Sequence, residues 1–142
     1  MNWWYNIPFF LIWCPLLLSS VTAVLKPRHA KKLALGLPLA GSIASAILLF
    51  FTIREGGSFL YSLGEFGAPF GNELRAGQLE ALAATAFCAI LFLSLLGGYK
   101  RLDVHIAEGK QSLYCVMVLL LQAGMMAQVF TNDAFTAYVF IE

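Results

Sequence analysis

Two carboxylates are the residues whose type and spacing point most directly to chemistry. Glu142 lies nine residues after Asp133, and the intervening stretch from Ala134 to Ile141 carries no charge. A helix rises about 1.5 Å per residue, so a helix beginning at Asp133 would carry Glu142 roughly 13 Å along its axis, near the middle of a hydrocarbon core ~30 Å thick. A carboxylate is costly at that depth, and ionisable groups in membrane helices usually face a protein interior or a water cavity and mark ion paths. Glu142 is therefore the candidate for proton or cation translocation, with a frayed terminal residue as the plain alternative. Asp133 follows Thr131 and Asn132 and fits an N-cap of the same helix, while a carboxylate at the mouth of an ion path would also concentrate cations.

Other polar and small residues read as packing. Gln122 and Gln128 fall on largely different faces of one apolar run, where interhelical hydrogen bonding is the default role. Gly41/Ser45, Ser42/Ala46 and Ala123/Ala127 are small residues four apart, which lets helix backbones approach closely. Cys14, Cys88 and Cys115 lie in three separate apolar runs without a CxxC spacing, so they read as small core residues. His29 and His105 sit in charged segments without ligand-spaced partners. No phosphate loop, dinucleotide fingerprint, nucleophile elbow or HExxH occurs. These readings lead to no expected metal or cofactor, and to no catalysis by the chain alone.

The elements that position these residues are set by the bilayer. Of 142 residues, 60% are hydrophobic and 12% charged, where a soluble domain has roughly 25% charged residues. The formal net charge is +1, which offers no electrostatic footprint for nucleic acid. Four runs free of Asp, Glu, Lys and Arg stretch over Met1 to Leu25, Leu33 to Ile53, Ala81 to Tyr99 and Ser112 to Asn132, and a fifth begins at Ala134. Spanning needs about 20 such residues, so the reading is an all-α membrane protein with four transmembrane helices plus the start of a fifth. Pro8 and Pro15 predict a bent first span.

Seven of the nine cations fall in two segments, Lys26 to Lys32 and Lys100 to Lys110. The positive-inside bias puts both in the cytoplasm, which predicts an amino terminus outside and an extracytoplasmic loop over residues 54–80. Six glycines and Pro69 in that loop suggest turns, and a hairpin lying against the helix ends, with Tyr61, Phe66 and Phe70 at the interface, would fit them.

The terminal segment from Thr131 to Glu142, T-N-D-A-F-T-A-Y-V-F-I-E, resembles the antiporter-like membrane subunits, whose pattern there reads T-G-D-L-F-N-L-Y-V-F-F-E. That family is shared by Mrp-type cation/proton antiporters, membrane-bound hydrogenases and the proton-pumping arm of NADH:quinone oxidoreductase. Its G-x-x-x-A-P-F-G-I-x-L segment is similar to Gly64 through Leu74, and the basic segment after the first span and Ala123-Gly124-Met125 also look alike. The resemblance implies that Glu142 works with a lysine on a later helix to move protons. This chain departs from the family's V-D-x-L-S-A-L pattern at Ala76 to Leu82, where Gly77 stands in place of the Asp, and Asn132, Ala134 and Thr136 replace Gly, Leu and Asn.

Family members are much longer, so the expectation is one membrane domain over residues 1–142 that is an amino-terminal fragment or split part of a larger subunit. In that reading it is a multi-pass component of a prokaryotic plasma-membrane complex moving protons or Na+, with other membrane subunits as partners. It would not be catalytic alone, though it would serve a redox-driven pump. The alternative is a small structural or assembly subunit with no ion path of its own.

Overall fold

The computed structural model describes residues 3–63 and 72–141. A short 3-10 turn over Trp3–Asn6 leads into helix α1 (Ile7–Val24), followed by α2 (Pro27–Glu55), strands β1 (Phe59–Leu63) and β2 (Asn72–Ala76), α3 (Gln78–Gly98), a single-turn α4 (Leu102–His105), α5 (Glu108–Phe130) and α6 (Ala134–Ile141). Four helical stretches, Trp4–Val24, Pro27–Glu55, Gln78–Gly98 and Gly109–Phe130, are long and apolar enough to cross a membrane. The chain is a multi-pass membrane protein, and α6 is the expected beginning of a further helix.

Pro8 lies in the first turn of α1, where no donor is needed, and α1 runs unbroken through Pro15. The connection to α2 is only Leu25 and Lys26, both extended, because the residue before a proline is pushed out of the helical region. Pro27 then occupies the first helical position of α2. The basic segment Lys26 to Lys32, which lies between two uncharged runs, is thus largely the opening of α2 itself. Ser112 Oγ donates to the Leu25 carbonyl at 3.0 Å and pins this turn to α5. At its other end α2 stops at Gly56, whose φ of 69° and ψ of 21° need a residue without a Cβ.

Helix α1 packs chiefly on α5 and α2 chiefly on α3, and α5 touches all three other long helices, β2, α4 and α6. Trp4, Ile7, Leu11, Leu48, Ala84, Cys88, Met126 and Phe130 belong to the main core. Hydroxyls in these helices are satisfied locally, as where Ser45 donates to the Gly41 carbonyl at 2.7 Å and Thr85 to that of Ala81 at 2.7 Å. Large apolar side chains such as Phe50, Ile90 and Leu93 point outward, as expected of helices whose solvent is lipid.

The expected hairpin is present. Strands β1 and β2 pair antiparallel in the register Phe59↔Ala76 to Leu63↔Asn72, so Tyr61 opposes Leu74. Leu74 and Ala76 are buried and Arg75 exposed, the alternation of a strand with one face on the core. The aromatic turn before α1 seats it: the Trp4 ring lies 4.1 Å from Tyr5, 5.5 Å from Phe51 of α2 and 5.3 Å from Phe59 of β1, centre to centre. Phe66 and Phe70, with most of the Gly64 to Leu74 segment, lie outside the described residues.

Candidate functional site

The junction between α5 and α6 positions the candidate carboxylates. Helix α5 ends at Phe130, Thr131 is extended with φ −67° and ψ 137°, and Leu74 and Thr131 form an isolated antiparallel bridge. The Asn132 N–H donates to the Glu73 carbonyl at 3.0 Å, and its side-chain amide reaches Glu73 Oε2 at 3.4 Å. The chain just ahead of α6 therefore lies along the free edge of β2 as a short third strand. An unpaired strand edge is unfavourable beside lipid, and this contact satisfies part of it.

Asp133 follows at once. Its Oδ2 accepts the Thr136 N–H at 3.0 Å and the Thr136 hydroxyl at 2.9 Å, the geometry of an N-cap on α6. The negative charge also sits at the positive end of the helix dipole. Thr136 is buried and Asp133 half-buried. Tyr138, Val139 and Ile141 are exposed on α6. Glu142 lies outside the described residues.

Where the departure at Gly77 falls, the neighbourhood is filled from another residue. A Cβ at Gly77 would meet Glu80 Oε2 at 2.7 Å and Ser58 Cβ at 3.1 Å. The Glu80 carboxylate thus folds back over the start of α3 into space that a side chain at 77 would need, and Arg75 Nε approaches its Oε1 at 3.5 Å.

Mid-bundle, the polar and small residues converge. Gly41 of α2 faces Cys88 of α3 and Gln122 of α5, and a Cβ there would lie 3.0 Å from Cys88 Sγ and 3.1 Å from Gln122 Nε2. Gln122 Nε2 points to Cys88 Sγ at 3.9 Å, and its buried Oε1 has no hydrogen-bond partner among the described residues. Gln128 by contrast is exposed, in keeping with the opposite faces expected of the two amides. Cys88 and Cys115 are buried, whereas Cys14 is exposed on α1 and does not belong to the core.

The residues missed from sequence lie at the opposite end. Lys31 of α2 is buried yet ion-paired to Asp103 of α4, and Gln111 Nε2 donates to the same Oδ1 at 3.3 Å and to the Ile106 carbonyl at 3.0 Å. The hydrogen bond from Lys31, together with its charge, holds the Asp103 carboxyl below its usual value of 3.8. A helix started at Pro27 puts Ala30, Lys31 and Ala34 on the buried face, and the two alanines were the signal available. Among the described residues no group of three or more His, Cys, Asp or Glu stands close enough to hold a metal ion.

No protein-family model matches the chain. Proteins of Staphylococcus aureus strains JH9 and Newman named as antiporter subunit mnhD2 are each 28% identical over 132 residues, which is 90% of this chain and 25% of theirs. A chain in the structure of the membrane-bound sulfane sulfur reductase, an archaeal respiratory membrane complex, superimposes with a TM-score of 0.83 at 23% identity, over 96% of this chain and 28% of that one. By sequence the chain is similar to an antiporter subunit, and by fold to a chain of a respiratory membrane complex. It spans about a quarter of the length of the curated relatives it matches. The similarity covers 90% of the chain by sequence and 96% by fold, so it is a likeness of more than one span.

Proposed function

We propose that this chain is part of an antiporter-like subunit in a membrane complex that moves protons or Na+, and that its contribution to the ion path is Glu142, the residue that follows α6 in sequence. The observation that supports the reading most is likeness to an antiporter subunit over 90% of the chain, joined to an α6 that is held at its start by both Asn132 and Asp133.

The chemistry required is modest. A carboxylate in a low-dielectric site holds its proton when no cation is near and releases it when one approaches, so moving a cation relative to Glu142 converts charge movement into proton movement. Asp133, at the foot of the same helix, would concentrate cations at the mouth of that path while its cap hydrogen bonds keep α6 aligned. Helices that supply the companion cation come from the rest of the subunit or from neighbouring membrane subunits. In a redox-linked complex the driving force would arise in those partners.

The test is Glu142→Gln in the complex assembled in its native membrane. Proton or Na+ transport into inverted vesicles should be abolished while the complex still migrates intact on a native gel. Undiminished transport would remove Glu142 from the mechanism and leave the chain with a structural or assembly role.

A further inference from the structure

At the end of the bundle opposite the hairpin, a crevice of about 450 Å³ opens between the first turn of α2 and α4, lined by Lys26, Arg28, Lys31, Tyr99, Asp103 and Gln111. The one carboxylate among its described lining residues is already engaged, since Asp103 accepts from both Lys31 and Gln111. Lys26 and Arg28 are exposed and have no ion-pair partner among the described residues. Seven of the chain's nine cations lie at this end, against only Asp103 and Glu108. The charge count here is strongly positive, and two of the cations, Lys26 and Arg28, stand two residues apart on the crevice wall.

The level of the crevice matters as much as its charge. Val24, the last residue of α1, is 90% exposed and Val104 of α4 is 79% exposed, so bare apolar side chains stand within two residues of the crevice-lining Lys26 and Asp103. Tyr99 is half-buried in the crevice wall, and amphipathic aromatics favour the headgroup level of a bilayer. A soluble anion has no use for apolar flanks, whereas a lipid brings both a phosphate and acyl chains. The forked guanidinium of Arg28 suits phosphate oxygens, and Lys26 supplies a second point charge. The α2 amino terminus has no side-chain cap and adds its positive dipole in the same direction.

We propose that this crevice seats the phosphate of an anionic phospholipid headgroup, gripped by Lys26 and Arg28 at the start of α2, with the acyl chains running down past Val24. The Lys31–Asp103 pair neutralises the carboxylate that would otherwise repel the phosphate. This site is independent of the ion path and stands whether or not Glu142 moves protons.

The experiment is native mass spectrometry of the protein purified from its membrane with its accompanying subunits, offered equal amounts of phosphatidylglycerol and phosphatidylcholine. Phosphatidylglycerol should be retained preferentially, and the Lys26→Gln/Arg28→Gln double variant should hold it on the order of tenfold more weakly. Lys100→Gln/Arg101→Gln removes the same charge at the same end outside the crevice and should retain it nearly as well as the parent. Equal losses in the two variants would overturn the proposal in favour of diffuse surface charge. Displacement of the lipid by millimolar inorganic phosphate would overturn it in favour of a free-anion site, and equal retention of the two lipids would leave no headgroup selectivity to explain.

Discussion

The backbone N–H of Asn132 donates to the carbonyl of Glu73 at 3.0 Å, although the two residues are separated by the whole of α3, α4 and α5. One hydrogen bond thus closes the edge of the hairpin and sets the point at which α6 begins. Under the proposed function, the hairpin would act on the ion path by fixing where α6 starts, through the backbone and not through a catalytic group.

Replacing Asn132 by Pro removes that donor, and Thr131 is already in the extended conformation that precedes proline. Asn132→Pro should lower ion transport by the complex several-fold with assembly retained. Asn132→Ala loses only a 3.4 Å side-chain contact and should transport nearly as the parent does. Equal activities would show that α6 is positioned without the hairpin.

Asp133 separates a cap from a charge. Asp133→Ala removes the acceptor for the Thr136 N–H and hydroxyl, which typically costs about 1 kcal/mol. Asp133→Asn keeps an acceptor and removes the charge, so thermal stability should return close to that of the parent. If the carboxylate also gathers cations at the mouth of the path, Asp133→Asn transport should fall most at low ionic strength, where surface potentials reach furthest. A salt-independent transport rate in that variant would confine Asp133 to capping.

Much of the architecture was legible because lipid imposes a strong rule: an uncharged run of about 20 residues has few alternatives to a spanning helix. Glycine and proline between Arg54 and Glu80 marked the hairpin for the same reason, since they interrupt the only regular structure that lipid tolerates. Helix α2 begins six residues before its uncharged run, because Pro27 at its first position starts a helix among charged residues. Nothing near Lys31 in sequence marked its ion pair, because its partner, Asp103, is 72 residues away. The Asn132–Glu73 bond was invisible on the same ground, as was the convergence of Gly41, Cys88 and Gln122 from three helices. Asp133 showed its capping pattern in sequence because a cap is local, within three residues.

Two glycines of α2 should respond oppositely to alanine. Gly36 is exposed, and a Cβ there meets nothing within 4 Å, so Gly36→Ala should gain the helix-propensity difference, about 1 kcal/mol. At Gly41 the same gain is opposed by contacts at 3.0 and 3.1 Å with buried Cys88 and Gln122, which must give way by a few tenths of an ångström. Gly41→Ala should therefore gain nothing, and Gly41→Leu should destabilise by roughly 1–3 kcal/mol through overpacking. Thermal unfolding in detergent measures all three, and a stabilised Gly41→Ala variant would mean that α2 and α5 separate more easily than this packing implies.

The Lys31–Asp103 pair joins two unlike environments, since Lys31 is 8% exposed at its side chain and Asp103 62%. Breaking it from the two sides should not be equivalent. Lys31→Met leaves Asp103 free to be hydrated and fills the buried position with an apolar chain, whereas Asp103→Asn strands a buried ammonium without its counter-ion, the costlier change. Asp103→Asn should therefore unfold at the lower temperature. The pH dependence follows from the depressed carboxyl: it is lower in the folded chain than the ordinary 3.8, so the unfolded state binds the extra proton as the pH falls. The contribution of the pair is present in full above about pH 5 and is lost as the pH falls through 3.8 toward the folded value. The stability gap between the parent and Asp103→Asn should stay constant from neutral pH to about pH 5 and close below that. A gap that persists undiminished into strong acid would show that the carboxylate charge contributes nothing to holding α4 against α2.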